Sequence, residues 1–448
     1  MHTHFITKLY GLLLLTLLVL NLISLEIYYY VFNQHMAYAA VITQRLKGPI
    51  IKDTNLKAEV VFKGINFPTS MAFLGPNDIL VLEKNNGTVY RIVNGVMLKK
   101  PLLDVNVATN IERGMLGIAI SPKHEKNKPT YVFLYYTESK TKDGEDAGIK
   151  KLEPLGNRLY RYDLVDNNTK LVNPKLLFTL PPTPGGFHNG GKIVIGPDNN
   201  VYLTTGDVPS HHTYALNYMN GTDPDGKSGI LRFTQDGKPV KGILGNKFPL
   251  NLYYAYGFAN SFGIDFDPLT GNLWDTENGP AYGDEINLVK PGFNSGWTQV
   301  AGIWESKKDG FGKIGNIRGK MIHQPDHIVD FGGNGKYSEP EFISNSTMCP
   351  SSMKFLNSDK LGEKYKNDVF VGIIKPTYIL HFKLNQSRTG LILNGPLSDK
   401  IANTPQQLEV AQFGKGFGVI TDIQVGPDGY LYVVSINRGT IYRIIPNR

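Results

Sequence analysis

From Pro68 to the carboxyl end, short apolar runs rich in Val, Ile, Tyr and Phe alternate with tight punctuation by Pro, Asp, Asn and Gly. That spacing matches strand, turn, strand, and no long amphipathic helix interrupts it. The first unit reads as a strand from Pro68, a Gly75-Pro76-Asn77-Asp78 turn, a strand Ile79–Leu82, an Asn85-Asn86-Gly87 turn and a strand Thr88–Ile92. Met115–Ile120, Thr130–Thr137 and Arg158–Leu164 repeat the pattern with a longer insertion. A third unit runs from His188 through Ile193–Ile195, the Pro197-Asp198-Asn199-Asn200 turn and Tyr202–Thr205 to Gly229–Phe233. Phe262–Phe266, Leu273–Thr276 and Glu285–Val289 make the fourth; Ser352–Leu356, Asp368–Gly372 and Tyr378–Leu384 the fifth. Ile420–Val425, Tyr430–Ser435 and Thr440–Ile444 complete six copies.

A meander of short strands cannot cover both of its faces alone, but copies packed radially cover one another. The expected fold class is therefore all-β: a six-bladed β-propeller over residues 56–448, with Leu56–Val61 supplying the outer strand of the last blade. An N-terminal hydrophobic segment precedes it. Lys8 leads an apolar run from Leu9 to Leu25, and Ala37-Tyr38-Ala39 follows, which makes residues 1–39 a secretory signal peptide or, through residues 9–32, a membrane anchor. Residues 40–55 are expected to be a linker. The compartment implied is extracellular, secreted or membrane-anchored facing outside. Asn-x-Ser/Thr sequons at Asn86, Asn167, Asn220, Asn345 and Asn385 suit an exported glycoprotein.

Composition supports this outline and removes alternatives. The chain has 48 Gly and 27 Pro in 448 residues, as a turn-rich β protein needs. The net charge of +8 comes from scattered lysines with no basic stripe, so nucleic acid is not an expected partner. No Gly-rich phosphate loop follows a strand, which argues against a nucleotide cofactor. Cys349 is the single cysteine, so no intrachain disulfide can form; its apolar neighbours suggest a buried thiol.

The third unit carries the clearest chemistry. Its hairpin places His188 and Asp207 at the same end of a sheet, where a carboxylate can fix an imidazole's tautomer and raise its basicity. A turn-bonded histidine with no chemical role remains the alternative. A second cluster, Glu277-Asn278-Gly279-Pro280 with Asp284-Glu285, offers carboxylate and carbonyl oxygens but neither thiolate nor imidazole, a donor set that suits Ca2+ rather than zinc. An acidic turn bonding its own backbone is the other reading.

From about Val60 onward the chain resembles the soluble quinoprotein glucose dehydrogenase and aldose sugar dehydrogenase family (glucose/sorbosone dehydrogenase domain). The resemblance rests on Glu112-Arg113-Gly114-Met115-Leu116-Gly117, His188-Asn189-Gly190-Gly191, Gly226-Lys227-Ser228-Gly229, Asn260 with Gly263, the Glu277–Pro280 and Asp284–Asn287 stretches, Gly292–Trp297 and Gly426-Pro427-Asp428-Gly429. It implies pyrroloquinoline quinone (PQQ) bound on the top face and a small sugar or related polyol oxidised at a CH–OH group, with electrons passing to an external acceptor. It also implies His188 as the base, Asp207 as its holder and Glu112 near substrate. Asn260, Lys375 and Thr347 would contact the cofactor. Gly279 and Pro280, with Asp284 and Glu285 nearby, would bind Ca2+. The chain departs from the family where arginines are expected: Ala259, Val419 and Thr421 stand there. Lys192 and His211-His212 are candidate replacements for the lost charge. The alternative function is a propeller without cofactor that binds a glycan or protein outside the cell; a metal-dependent hydrolase is a more distant reading.

Overall fold

The computed structural model describes residues 48–122, 129–141, 154–181, 186–208, 212–280, 282–303 and 328–447. The expected signal or anchor segment lies outside the described residues, as does His211. Among the described residues no helix is long and apolar enough to cross a membrane.

The described chain forms six sheets of mainly antiparallel strands. In chain order their first strands are Pro68–Gly75, Met115–Ile120, Ile193–Ile195, Ser261–Phe266, Pro350–Phe355 and Ile420–Val425. Each of these touches the next, and the last touches the first, so the sheets close into a ring with these strands innermost. This is an all-β propeller.

The sequence reason is the double-sided apolar character of the strands. Side chains alternate between the two faces of a strand, and here each face meets a neighbouring sheet. Leu80, Leu82 and Val89 of the first sheet pack with Ile118, Val132 and Leu134 of the second. Phe133, Tyr135 and Leu159 on the second pack with Leu203 and Leu231 of the third. Corresponding clusters join the third to the fourth, the fourth to the fifth, the fifth to the sixth and the sixth back to the first. Each fully buried aliphatic or Phe side chain contributes roughly 1.5–3 kcal/mol relative to exposure.

The turns repeat one device. Asp198 accepts from Asn200 N at 3.2 Å and from the Tyr202 hydroxyl at 2.9 Å, while Asp428 accepts from Tyr430 N at 3.3 Å and the Tyr432 hydroxyl at 2.8 Å. A Pro-Asp turn thus ties itself to the tyrosine that opens the next strand.

Ring closure is as expected: Leu56–Lys63 pairs with Thr440–Pro446 in the last sheet. The linker expectation is corrected. Ile50–Ile51 pairs with Gln412–Lys415 at the edge of the fifth sheet, so sheet-forming chain begins before residue 56. Outer strands such as Lys170–Leu180 and Tyr253–Tyr256, and the parallel additions Phe293–Asn294 and Ile401–Ala402, were not anticipated.

Candidate active site

The hairpin Ile193–Ile195 with Val201–Thr205 pairs Ile193 with Leu203, which leaves residues 188–191 and 206–207 side by side at one end. His188 adopts φ +59°, followed by Gly190 at +62° and Gly191 at +116°. Only glycine suits the last two positions. A Cβ on Gly190 would come within 2.7 Å of Thr204 O, and one on Gly191 within 2.9 Å of both Leu116 and the Tyr135 ring. This left-handed stretch swings the His188 side chain over the strand end. Such a backbone persists where its surroundings hold it, and Glu112 does so: its Oε2 accepts from His188 N at 2.7 Å and Asn189 N at 3.3 Å.

His188 Nδ1 lies 2.7 Å from Asp207 Oδ1, and Trp297 Nε1 donates to Asp207 Oδ2 at 3.0 Å. Both carboxylate oxygens are thereby fixed. An Nδ1–H donated to Asp207 leaves Nε2 with its lone pair, and Nε2 has no hydrogen-bond partner among the described residues. Burial pulls the imidazole pKa down. The Asp207 hydrogen bond and charge, with Glu112 adding, outweigh it and hold His188 above its ordinary value.

Asn260 joins this corner to the second cluster. Its Nδ2 donates to Glu112 Oε2 at 3.2 Å, its Oδ1 accepts from Gly190 N at 3.2 Å, and its carbonyl accepts from Asn278 N at 3.0 Å. Asp284 Oδ1 then accepts from Gly279 N at 2.8 Å, while Oδ2 accepts from Met348 N at 2.6 Å, Cys349 N at 2.7 Å and Thr347 Oγ1 at 3.2 Å. Lys375 N donates to Met348 O at 3.0 Å. These contacts link His188, Asp207, Glu112, Asn260, Gly279, Asp284 and Thr347, with Pro280 adjoining Gly279 in the chain and the Lys375 main chain held on Met348.

The Glu285 carboxylate does not share the Asp284 contacts. As Asp284's neighbour on the strand Asp284–Val289 it faces the other way. Its Oε1 accepts from Gly302 N at 2.6 Å and its Oε2 from Asn287 Nδ2 at 3.0 Å and Ser295 Oγ at 3.1 Å. There it sits directly across from Glu277, with Asp275 across from Asn287. Burial above all, with neighbouring negative charge adding, pushes these acids up, Asp275 to about 8, Glu285 to about 7 and Glu277 well above its ordinary range. Asp284 and Glu285 thus fail to converge on one ion, and Asp284 already accepts four donors. Among the described residues no group of three or more His, Cys, Asp or Glu is arranged to hold a metal. The calcium expectation is narrowed to the Gly279 and Pro280 carbonyls.

The positions lacking arginine are also built in. Ala259 is 1% exposed and packs with Leu216, Trp297 and Ala301; its N–H donates to Glu277 Oε1 at 2.6 Å and its carbonyl accepts from Asp207 N at 2.8 Å. Val419 N donates to Asn437 Oδ1 at 2.9 Å, and Thr421 Oγ1 donates to Pro68 O at 3.1 Å. Lys192 does not replace the missing charge, because its buried ammonium is paired with Asp422, which also accepts from Ser70 Oγ at 2.8 Å and Met71 N at 2.9 Å. That pair joins the innermost regions of the first, third and sixth sheets.

Several residues escaped the sequence reading. Trp297 stands in a quoted motif, but nothing local says that its indole reaches Asp207, 90 positions away. Cys349 is half-buried beside Thr347, Sγ to Oγ1 3.1 Å, rather than enclosed. Burial raises its thiol, with the negative charges of Asp284 and Glu112 adding to that and the Lys375 charge opposing it.

A closed ring of β-sheets with a histidine–aspartate pair at the end of an inner hairpin defines the class: an all-β propeller. The chain belongs to the glucose/sorbosone dehydrogenase family, whose sequence model matches residues 65–443. It is 24% identical over 400 residues to the aldose sugar dehydrogenase YliI of Escherichia coli, covering 87% of this chain and 93% of that protein. It is 29% identical over 268 residues to quinoprotein glucose dehydrogenase B of Acinetobacter calcoaceticus, covering 56% of this chain and 54% of that protein. The fold is shared with the PQQ-bound form of an aldose sugar dehydrogenase from Streptomyces coelicolor, TM-score 0.61 and 23% identity, over 89% of this chain and 99% of that one.

Proposed function

We propose that this chain is a PQQ-dependent oxidoreductase that oxidises an aldose sugar or related polyol at a CH–OH carbon, with the six sheets as the six blades of its propeller. The observation that carries this reading is the 2.7 Å contact between His188 Nδ1 and Asp207 Oδ1, with Trp297 fixing the second carboxylate oxygen and Nε2 left without a partner among the described residues.

A hydride leaves an alcohol carbon readily only as the hydroxyl proton departs, so a base must touch that oxygen. His188 Nε2 is the acceptor. Asp207 holds the tautomer and stabilises the imidazolium that forms. Glu112 keeps the His188 main chain in its left-handed conformation, and its Oε1, without a hydrogen bond among the described residues, is placed to accept from a second sugar hydroxyl. PQQ, where bound, supplies the electron-accepting carbonyl that no side chain can provide. The residues that would hold it are Asn260, Thr347 and Lys375, and the Gly279 and Pro280 carbonyls suit a calcium ion beside it. The leading apolar segment supports a secreted or tethered enzyme that hands its electrons to an external acceptor.

The test is to titrate the calcium-loaded protein with PQQ and follow cofactor absorbance together with sugar-dependent dye reduction. Saturable binding with turnover supports the proposal. Absence of saturable binding retires it in favour of a propeller that binds a glycan or protein on this face.

A further inference from the structure

One cation of the site is absent from every motif in the chain. Lys84 follows the strand Asp78–Glu83, and its main chain is clamped on both sides: its N–H donates to Phe67 O at 3.0 Å and its carbonyl accepts from Met115 N at 2.9 Å. Its stem lies against Gly114, where a Cβ would come within 2.6 Å of Lys84 Cγ. Gly114 thus opens the path along which the stem reaches the Glu112 loop. The ammonium donates to Asn85 Oδ1 at 3.1 Å and to Thr109 O at 3.3 Å.

Both of those acceptors are neutral. An ammonium has three donors, so one remains. The buried lysines Lys192 and Lys227 are each paired with an aspartate, Asp422 and Asp225, the latter at 3.0 Å. No carboxylate among the described residues is in ion-pair contact with Lys84. The charge that acts on it is Glu112, the residue that clamps the His188 main chain. A half-buried ammonium satisfied only by neutral groups is costly, and an anion brought to it relieves that cost.

We propose that Lys84 is an anion-binding residue of the His188 site, holding a carboxylate of a bound ligand with its remaining N–H. Two sources offer that chemistry: PQQ, which carries three carboxylates, and an acidic sugar. The choice between them rests on the function proposed above; the binding role of Lys84 does not. Burial pushes Lys84 down to about 8, against the pull of Glu112. The charged group that acts on Lys84 is Glu112, which acts in turn on His188 and Cys349. Anion binding should therefore weaken as pH rises through about 8, and an arginine in its place should abolish that dependence.

The experiment uses the full chain with calcium chloride, as wild type, Lys84→Gln and Lys84→Arg. PQQ and sodium gluconate are titrated separately at pH 7 and pH 9. Acetylation of the Lys84 amine is followed by peptide mass spectrometry with and without each anion. The expected result is protection of Lys84 by at least one anion. That anion should bind about tenfold or more weakly to Lys84→Gln and within about threefold of wild type to Lys84→Arg. Its wild-type affinity should fall about tenfold between pH 7 and pH 9, while the Lys84→Arg affinity stays level. Protection by gluconate without any PQQ binding would uphold Lys84 and retire the quinoprotein reading. PQQ binding that is equal in wild type and Lys84→Gln, with neither anion protecting the amine, would overturn the Lys84 proposal and leave the quinoprotein reading in place.

Discussion

The corner around His188 and the three positions where arginine is expected, Ala259, Val419 and Thr421, are built on opposite principles. At His188 the polar groups brace one another: Asp207 between imidazole and indole, Glu112 on the His188 and Asn189 N–H groups, Asn260 on Glu112 and Gly190. At the arginine-lacking positions, Ala259 and Thr421 are instead committed to the scaffold. Ala259 fills a space against Trp297, Thr421 bonds the Pro68 carbonyl, and Asp422 is consumed by Lys192 in a buried pair. In the proposed function, handling a proton and holding an anion are separate tasks, assigned to separate residues. In the function and the anion site proposed above, positive charge toward a ligand comes from Lys375 and Lys84.

The largest effect should come from the His188 corner. His188→Ala should lower kcat about a thousandfold, read by steady-state dye reduction, while PQQ affinity from the same titration stays within about twofold. A comparable loss of cofactor binding would show that the two tasks are not separate. Next comes the scaffold role of Asp422, beside Thr421. Lys192→Met leaves Asp422 buried beside only neutral donors and should cost about 3 kcal/mol in urea unfolding, the usual penalty for breaking a buried ion pair; an unchanged midpoint would mean the pair is incidental. The smallest effect tests restoration. Thr421→Arg, at a partly buried position, should tighten PQQ binding up to about tenfold at low salt, with the gain fading as salt rises. Unchanged or weaker binding would place the cofactor's carboxylates away from that position.

The blade-forming strands were legible because both faces of each are apolar and their turns carry Pro, Asp and Gly at regular places. The outer strands were not. Lys170–Leu180 contains Pro174 and solvent-facing lysines, which suit a sheet edge but erase the alternation that marks a strand. The His188–Asp207 pair was readable because a single hairpin brings its members together. Glu112, Asn260 and Trp297 come from distant parts of the sequence, and nothing in their local sequence says which hydrogen bond each makes. Asp284 and Glu285 misled for a simpler reason. Neighbours in sequence suggest a shared ion, yet on a strand they face opposite ways, one toward Gly279 and the other toward Glu277. Lys84 left no trace, since its role follows from the Gly114 gap and the carbonyl of Thr109.

The measurement closest to the central claim is the pH dependence of kcat/KM for sugar oxidation by wild type and Asp207→Asn. Asp207 raises the His188 pKa, and the base must be neutral to act, so wild-type activity should fall in acid with a midpoint above that of an ordinary imidazole. Removing the carboxylate's charge should move that midpoint to lower pH while the plateau drops. An acid limb that stays in place when Asp207 is changed would contradict the account, because the proton would then be passing through some other group.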